Sequence, residues 1–215
     1  MTTIEFRYRD RGYAIEAIAG DHITNCIERA GTFYEIDLLE AIRDCKRRGT
    51  YIDVGAHIGN HSVFFSGECP SHRVVAFEPN RIALDCLVAN ATRYYIEVQR
   101  HAIHDTWEWC RVTDRHSTNH GMARIEESGP GHGPVCRRLD DCGLDDVAVI
   151  KIDVEGTELT VLRSAIRILE RDRPIITAEA HNSAATAALE AFLTPYAYRI
   201  QGTYGFTPTH LWTAD

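Results

Sequence analysis

From residue 50 onward, short apolar runs alternate with stretches whose apolar residues recur every three or four positions. That alternation restricts the chain to a mostly parallel sheet with helices on both faces. TYIDV, RVVAFEP, EVQRHAI, VAVIKIDV and RPIITAEA read as successive strands, the last opened by a proline where a missing N–H costs least. Between them, RIALDCLVANATRYY puts Leu84, Leu87, Val88 and Ala91 on one helical face, and TELTVLRSAIRILER does the same with Leu159, Leu162, Ile166 and Leu169. A helix from about Ala184 to Leu193 precedes two last strands, AYRIQGT and THLWTA. TYGFTP joins them closely enough for an antiparallel pair at the sheet edge.

Residues 1–49 are expected to form a cap packed on a main domain of residues 50–215. In the cap, FRYRD and GYAIEAI suggest a hairpin. Thr32-x-x-Glu35 suggests a capping box that starts the helix FYEIDLLEAIRDCKRR, which stops at Gly49. Residues 115–134, RHSTNHGMARIEESGPGHGP, are the one long stretch rich in Gly, Pro, His and Ser; such a loop is usually functional or disordered, and this one is expected to cover a crevice.

Composition excludes several classes. Hydrophobic residues at 44% and charged residues at 25% are those of a globular chain. No apolar run approaches the roughly 18 residues of a membrane helix, and MTTIEFRYRDRG carries charge where a signal peptide needs its apolar stretch, so no membrane insertion and a cytoplasmic location are expected. The 7 cysteines include no C-x-x-C pair, which favours reduced thiols. A formal net charge of −8, with only the short basic runs Lys46-Arg47-Arg48 and Arg137-Arg138, argues against a nucleic-acid partner.

In doubly wound sheets, ligands bind beyond the carboxyl ends of the strands, where a glycine turn and a helix N-terminus meet. Asp53-Val54-Gly55-Ala56-His57-Ile58-Gly59 is such a turn, and Glu78 ends the next strand, placed to accept both hydroxyls of a ribose. An acidic residue there serves a nicotinamide dinucleotide as well as S-adenosylmethionine. The dinucleotide fingerprint G-x-G-x-x-G, however, needs a glycine where this chain has His57, and Asp53 would repel a pyrophosphate. A phosphate-free cofactor with a sulfonium and an amine suits acidic neighbours better.

The ordered set FYEIDLL, YIDVGAHIGNHSVFFS, VVAFEPN, Leu139-Asp140-Asp141, IKIDVEGTE and THLW, spanning about Phe33 to Trp212, resembles the FkbM-type S-adenosylmethionine-dependent methyltransferases. The resemblance implies a Rossmann-like class I methyltransferase fold, with a seven-stranded, mostly parallel sheet of order 3-2-1-4-5-7-6 and strand 7 antiparallel. It further implies Asp53, Gly55, Ala56 and Gly59 around the methionine part of the cofactor, Glu78 and Asn80 at the ribose, Glu35 near the methionine end and Asp105 near the adenine. The implied acceptor is a hydroxyl of a sugar, a polysaccharide end or another small natural product.

VIKIDVEGTE puts Lys151, Asp153 and Glu155 on alternate positions, hence on one face, of a strand that borders the crevice. An internal ion pair with a neighbouring carboxylate is expected for Lys151. Asp153, with Glu179 and His181 from the end of the next strand, is expected to surround the acceptor hydroxyl, with His181 or a carboxylate as base. Carboxylates at adjacent strand ends also admit a Mg²⁺, although no full ligand set can be assigned from spacing. His57-x-x-x-His61 straddles the turn without a third ligand, so zinc is not expected. Among the loop histidines His116, His120 and His132, which are more often solvated, His120 is the candidate for a role over the crevice. Two other readings share the glycine turn: an NAD-dependent oxidoreductase, disfavoured by His57 and by the lack of a Tyr-x-x-x-Lys pair, and an inactive nucleoside-binding domain, disfavoured by the intact KIDVEG.

Overall fold

The computed structural model describes residues 1–114 and 118–214. Its elements are β1 (Thr2–Tyr8), β2 (Arg11–Ala17), α1 (His22–Ala30), α2 (Ile36–Asp44), β3 (Gly49–Val54), α3 (Asn60–Glu68), β4 (Ser71–Phe77), α4 (Arg81–Tyr94), β5 (Glu97–Gln99), β6 (Ala102–Ile103), β7 (Cys110–Thr113), β8 (Arg124–Glu127), β9 (Cys136–Arg137), β10 (Val147–Ile152), α5 (Glu158–Arg163), α6 (Ile166–Asp172), β11 (Ile175–Glu179), α7 (Ser183–Leu193), β12 (Tyr198–Tyr204) and β13 (Thr209–Ala214).

Seven strands form one mixed sheet, ordered β5-β4-β3-β10-β11-β13-β12 from edge to edge. Its pairs are parallel except the two made by β13, which runs against both β11 and β12. Period-two alternation splits the core: Tyr51, Val74, Ala76, Val149 and Ile175 face α3, α4 and the N-terminal segment, while Ile52, Val75, Ile150, Ile176 and Trp212 pack with Val161, Leu169 and Leu193 on the opposite face. The strand order reverses where β3 pairs β10, and the crevice opens there.

The N-terminal segment joins the first of these cores through Phe6, Tyr13, Phe33 and Phe64, whose rings meet edge to face or stacked at 4.8 to 5.8 Å. Two buried asparagines pin it down. Asn90 accepts from Glu16 N at 2.8 Å and donates to Glu16 O and Ile58 O. Asn60 accepts from Tyr34 N at 3.0 Å and donates to Tyr34 O at 3.1 Å. Each satisfies backbone groups that would otherwise be buried unpaired.

Several elements depart from the sequence-based expectations. The capping box does not form: Glu35 takes a left-handed backbone (φ 55) with no side-chain cap bond, the buried Thr32 hydroxyl finds no partner, and α2 ends at Asp44. Helix α1 was not foreseen; Asp21 caps it by accepting from Ile23 N at 3.0 Å. The expected helix over 157–171 is two, because the 139–141 segment inserts at the break. Ser164 Oγ accepts from Leu139 N at 3.2 Å, and the Asp140 carboxylate caps α6 at Arg167 N and Ile168 N, both 3.1 Å. EVQRHAI contributes only Glu97–Gln99 to the sheet; the chain then turns away, and β6 pairs β9 instead. Within the expected loop 115–134, β8 pairs antiparallel with β7. His116 lies outside the described residues. No helix among the described residues is long and apolar enough to cross a membrane.

Candidate active site

At the carboxyl ends of β3, β10 and β11 lies a cavity of about 410 Å³, within the size range of small-molecule sites. Gly55 lets the two central strands close up beneath it: a Cβ there would stand 1.7 Å from Asp153 O, and φ is +78. Gly59, at φ +88, caps α3 where a Cβ would come within 2.8 Å of Leu87 Cδ1. Among the non-glycine residues with positive φ, Glu35, His57 and Glu155 all line the cavity (φ 55, 51 and 60). Left-handed backbone costs such residues roughly 1–2 kcal/mol each, and it tends to persist where the surrounding fold imposes a functional geometry.

Glu78 sits at one end of the cavity. It is buried, and its two oxygens accept from His57 N and Asn80 N, each at 2.7 Å. Burial pushes its pKa up to about 7 against these two bonds, which pull it down. Asn80 lines the same wall, capping α4 with its side-chain oxygen while its Nδ2 is buried without a partner.

Beneath the cavity floor, Lys151 faces Asp53 across the β10–β3 pairing, Nζ to Oδ1 3.0 Å, donates to Gly55 O at 2.9 Å and stands 3.6 Å from Asp153 Oδ2. Ser62 Oγ donates to the other Asp53 oxygen at 2.6 Å. Burial alone would raise the Asp53 pKa, but Lys151, His61 and Ser62 outweigh it and hold the group below the ordinary carboxylate range. Asp53 and Asp153 likewise hold the Lys151 ammonium above its usual range against burial. Glu35 is kept low in the same way by His61, 3.1 Å away.

The opposite end is different. Glu155, Glu179 and His181 converge there, with His181 Nε2 3.4 Å from Glu179 Oε2 and 3.5 Å from Glu155 Oε2. Both Oε2 atoms are buried without a hydrogen-bond partner among the described residues. Burial, followed by repulsion from Asp153, pushes Glu155 up to about 7; for Glu179, burial and then Asp153 and Glu155 push it up to about 8. The roof comes from α1 and the 118–122 segment. Asp21 accepts from His120 N at 2.8 Å, His22 N donates to Thr118 O at 2.8 Å, and His120 Nδ1 meets Asp114 Oδ2 at 2.5 Å. His57 lines this space with both ring nitrogens buried and unpartnered; burial lowers its pKa to about 4.

The structure thus brings Glu35, Gly55, Glu78, Asn80, Asp153, Glu179 and His181 to the lining of one cavity. Four expected residues are not on it. Asp53 is 0% exposed and neutralised below the floor, and Ala56 and Gly59 shape the turn and the start of α3. Asp105 lines a separate surface groove beside His104, because the chain has left the sheet by then; His101, Ala102 and Ile103 take its place at the cavity. Sequence reasoning weighed His61 only as a metal ligand and missed its pairing with Glu35, and it missed Asn60 and the aromatic Phe206 on the rim, since an isolated Asn or Phe has no periodic signal.

Residues 53–200 match the Methyltransferase FkbM domain. Among solved structures, the methyltransferase FkbM from Methylobacillus flagellatus KT superposes with a TM-score of 0.59 at 23% identity over 78% of this chain; the match spans 43% of that protein's length. The ribosomal protein L11 methylase from Lactobacillus delbrueckii subsp. bulgaricus gives a TM-score of 0.52 at 12% identity, covering 86% of this chain and 82% of that one. The precorrin-6y C5,15-methyltransferase from Geobacter metallireducens GS-15 gives 0.50 at 16%, covering 83% and 87%. No protein of curated function matches. These likenesses share the sheet, and the domain match covers most of the chain: it belongs to the FkbM methyltransferase family.

Proposed function

We propose that the protein is an S-adenosylmethionine-dependent O-methyltransferase whose acceptor is a hydroxyl of a small molecule, a sugar or polysaccharide end or another natural product. One observation carries the reading. Five carboxylates line the cavity, Glu35, Glu78, Asp153, Glu155 and Glu179, and among the described residues no Lys or Arg lines it. Such a wall repels a pyrophosphate and attracts a sulfonium cation. Glu78 offers its remaining lone pairs to the ribose hydroxyls, with Asn80 beside it, and Glu35 lies toward the methionine amine.

The transfer is an in-line displacement. The acceptor oxygen forms the new bond to the methyl carbon, the old C–S pair stays on sulfur as a neutral thioether, and the hydroxyl proton leaves to the acid and imidazole groups of Asp153, Glu179 and His181. Alignment matters most, because the leaving group needs no protonation. Calorimetric titration checks the reading: saturable heat is expected with S-adenosylmethionine and none with NAD, and the reverse pattern would overturn it. Turnover of His181→Ala and Asp153→Asn tests the proton route; near-normal rates in both would remove those two residues from it.

A further inference from the structure

We propose that Glu155, Glu179 and His181 together hold one divalent cation of the Mg²⁺ or Mn²⁺ class, and that this cation presents the acceptor through two adjacent oxygens. The proposal rests on the methyltransferase reading for the acceptor but not for the cation.

One ligand atom from each of the three side chains lies within 4.8 Å of the others. The separations of His181 Nε2 from the two carboxylates, 3.4 and 3.5 Å, are near the roughly 3.0–3.4 Å between neighbouring ligands of an octahedral cation with bonds of about 2.1–2.4 Å. A second observation is independent of this spacing. The Glu155 side chain is only 10% exposed, and its Oε2, like that of Glu179, is buried toward this point with no hydrogen-bond partner among the described residues. A buried carboxylate oxygen is costly unless bonded or paired. One imidazole N–H cannot bond both, and at these distances it bonds neither. A dication at the meeting point answers two anionic oxygens and the imidazole nitrogen at once.

Two carboxylates and one imidazole suit a hard or borderline cation rather than one held by thiolates, and three protein ligands leave positions open. Those positions face the cavity that all three residues line. Adjacent oxygens of the acceptor, as in a vicinal diol or a hydroxy acid, would fill them. Bound in this way, a hydroxyl gives up its proton more readily. With Glu179 and His181 engaged as ligands, Asp153 alone of the three remains to take the proton, and the methyl and the C–S electron pair move as described above.

The test measures free Mn²⁺ by electron paramagnetic resonance as apo-protein is titrated, beside a separate calorimetric titration with S-adenosylmethionine. One saturable Mn²⁺ site per chain is expected, weakened more than tenfold in Glu155→Gln and in Glu179→Gln, with circular dichroism showing both variants folded. Wild-type protein that binds S-adenosylmethionine yet leaves Mn²⁺ free would overturn the cation alone. So would unchanged Mn²⁺ affinity in both folded variants. Mn²⁺ binding without S-adenosylmethionine binding would keep the cation and sink the cofactor reading.

Discussion

Two sets of carboxylates crowd the carboxyl ends of β3, β10 and β11, and they differ in what meets them. The inner set is ion-paired at close range: Asp53 with Lys151 at 3.0 Å, with a further bond from Ser62 at 2.6 Å, and Glu35 with His61 at 3.1 Å. The outer set, Glu155 and Glu179, has one shared histidine that hydrogen-bonds neither. Carboxylates at the ends of two strands of one sheet, β3 and β11, therefore have opposite pKa shifts, down for Asp53 and up for Glu179. The difference teaches that burial of an acid does not by itself mark a functional group. An acid with its partner built into the fold, as Asp53 has, is already neutralised; one without such a partner is a candidate for binding a ligand.

The strongest way to break this contrast is to strip the inner set of its cation. Lys151→Met leaves Asp53 buried and unpaired, and urea unfolding should show a loss of about 3–5 kcal/mol. Adding Asp53→Asn should recover much of that loss, because the stranded charge is gone.

Glu78 lies between the two sets, bonded by backbone N–H groups but still facing the cavity. Glu78→Gln should weaken S-adenosylmethionine binding roughly 10- to 100-fold by calorimetry, since charge-assisted bonds contribute about 1.5–3 kcal/mol. Affinity in the wild type should rise as pH passes upward through about 7, where Glu78 loses its proton.

The outer set should respond in the opposite sense to the inner one when its charge is removed. Folded Glu179 keeps its proton until about pH 8, whereas the unfolded residue loses it near 4.5. Between those values the folded state binds more protons, so this group's contribution to stability falls as pH rises. Glu179→Gln should therefore leave stability unchanged at pH 4 and raise it by on the order of 1–2 kcal/mol above pH 8, read from paired thermal melts. The smallest effect is expected at Asp105, which lines a different groove: Asp105→Asn should leave the S-adenosylmethionine Kd within about twofold.

Much of this was legible beforehand. The four adjacent parallel strands β4, β3, β10 and β11, the glycine turn and the charged face of VIKIDVEG follow from period and punctuation, because a strand buried on both faces must be apolar throughout unless its polar residues have a use. The ion pair of Lys151 was legible for the same reason, although its partner was not. Helix boundaries failed where distant segments intervened: Asp140 caps α6 from 27 residues away, and Glu35 leaves its expected cap for His61. Asp105 falls away from the cavity because EVQRHAI has an apolar pattern through Ile103, while only three of its residues join the main sheet and the next two pair with β9 outside it.

By itself, the sequence determined the layered sheet, the place where it opens and the acidic character of the opening, since these depend on side-chain type and period along the chain. The tertiary structure alone decided which acids are neutralised and which are left facing the cavity. That choice depends on register between β3, β10 and β11 and on where the N-terminal segment is pinned, and ionic interactions between residues about 26 to 98 positions apart are set by a few ångströms that no local pattern encodes.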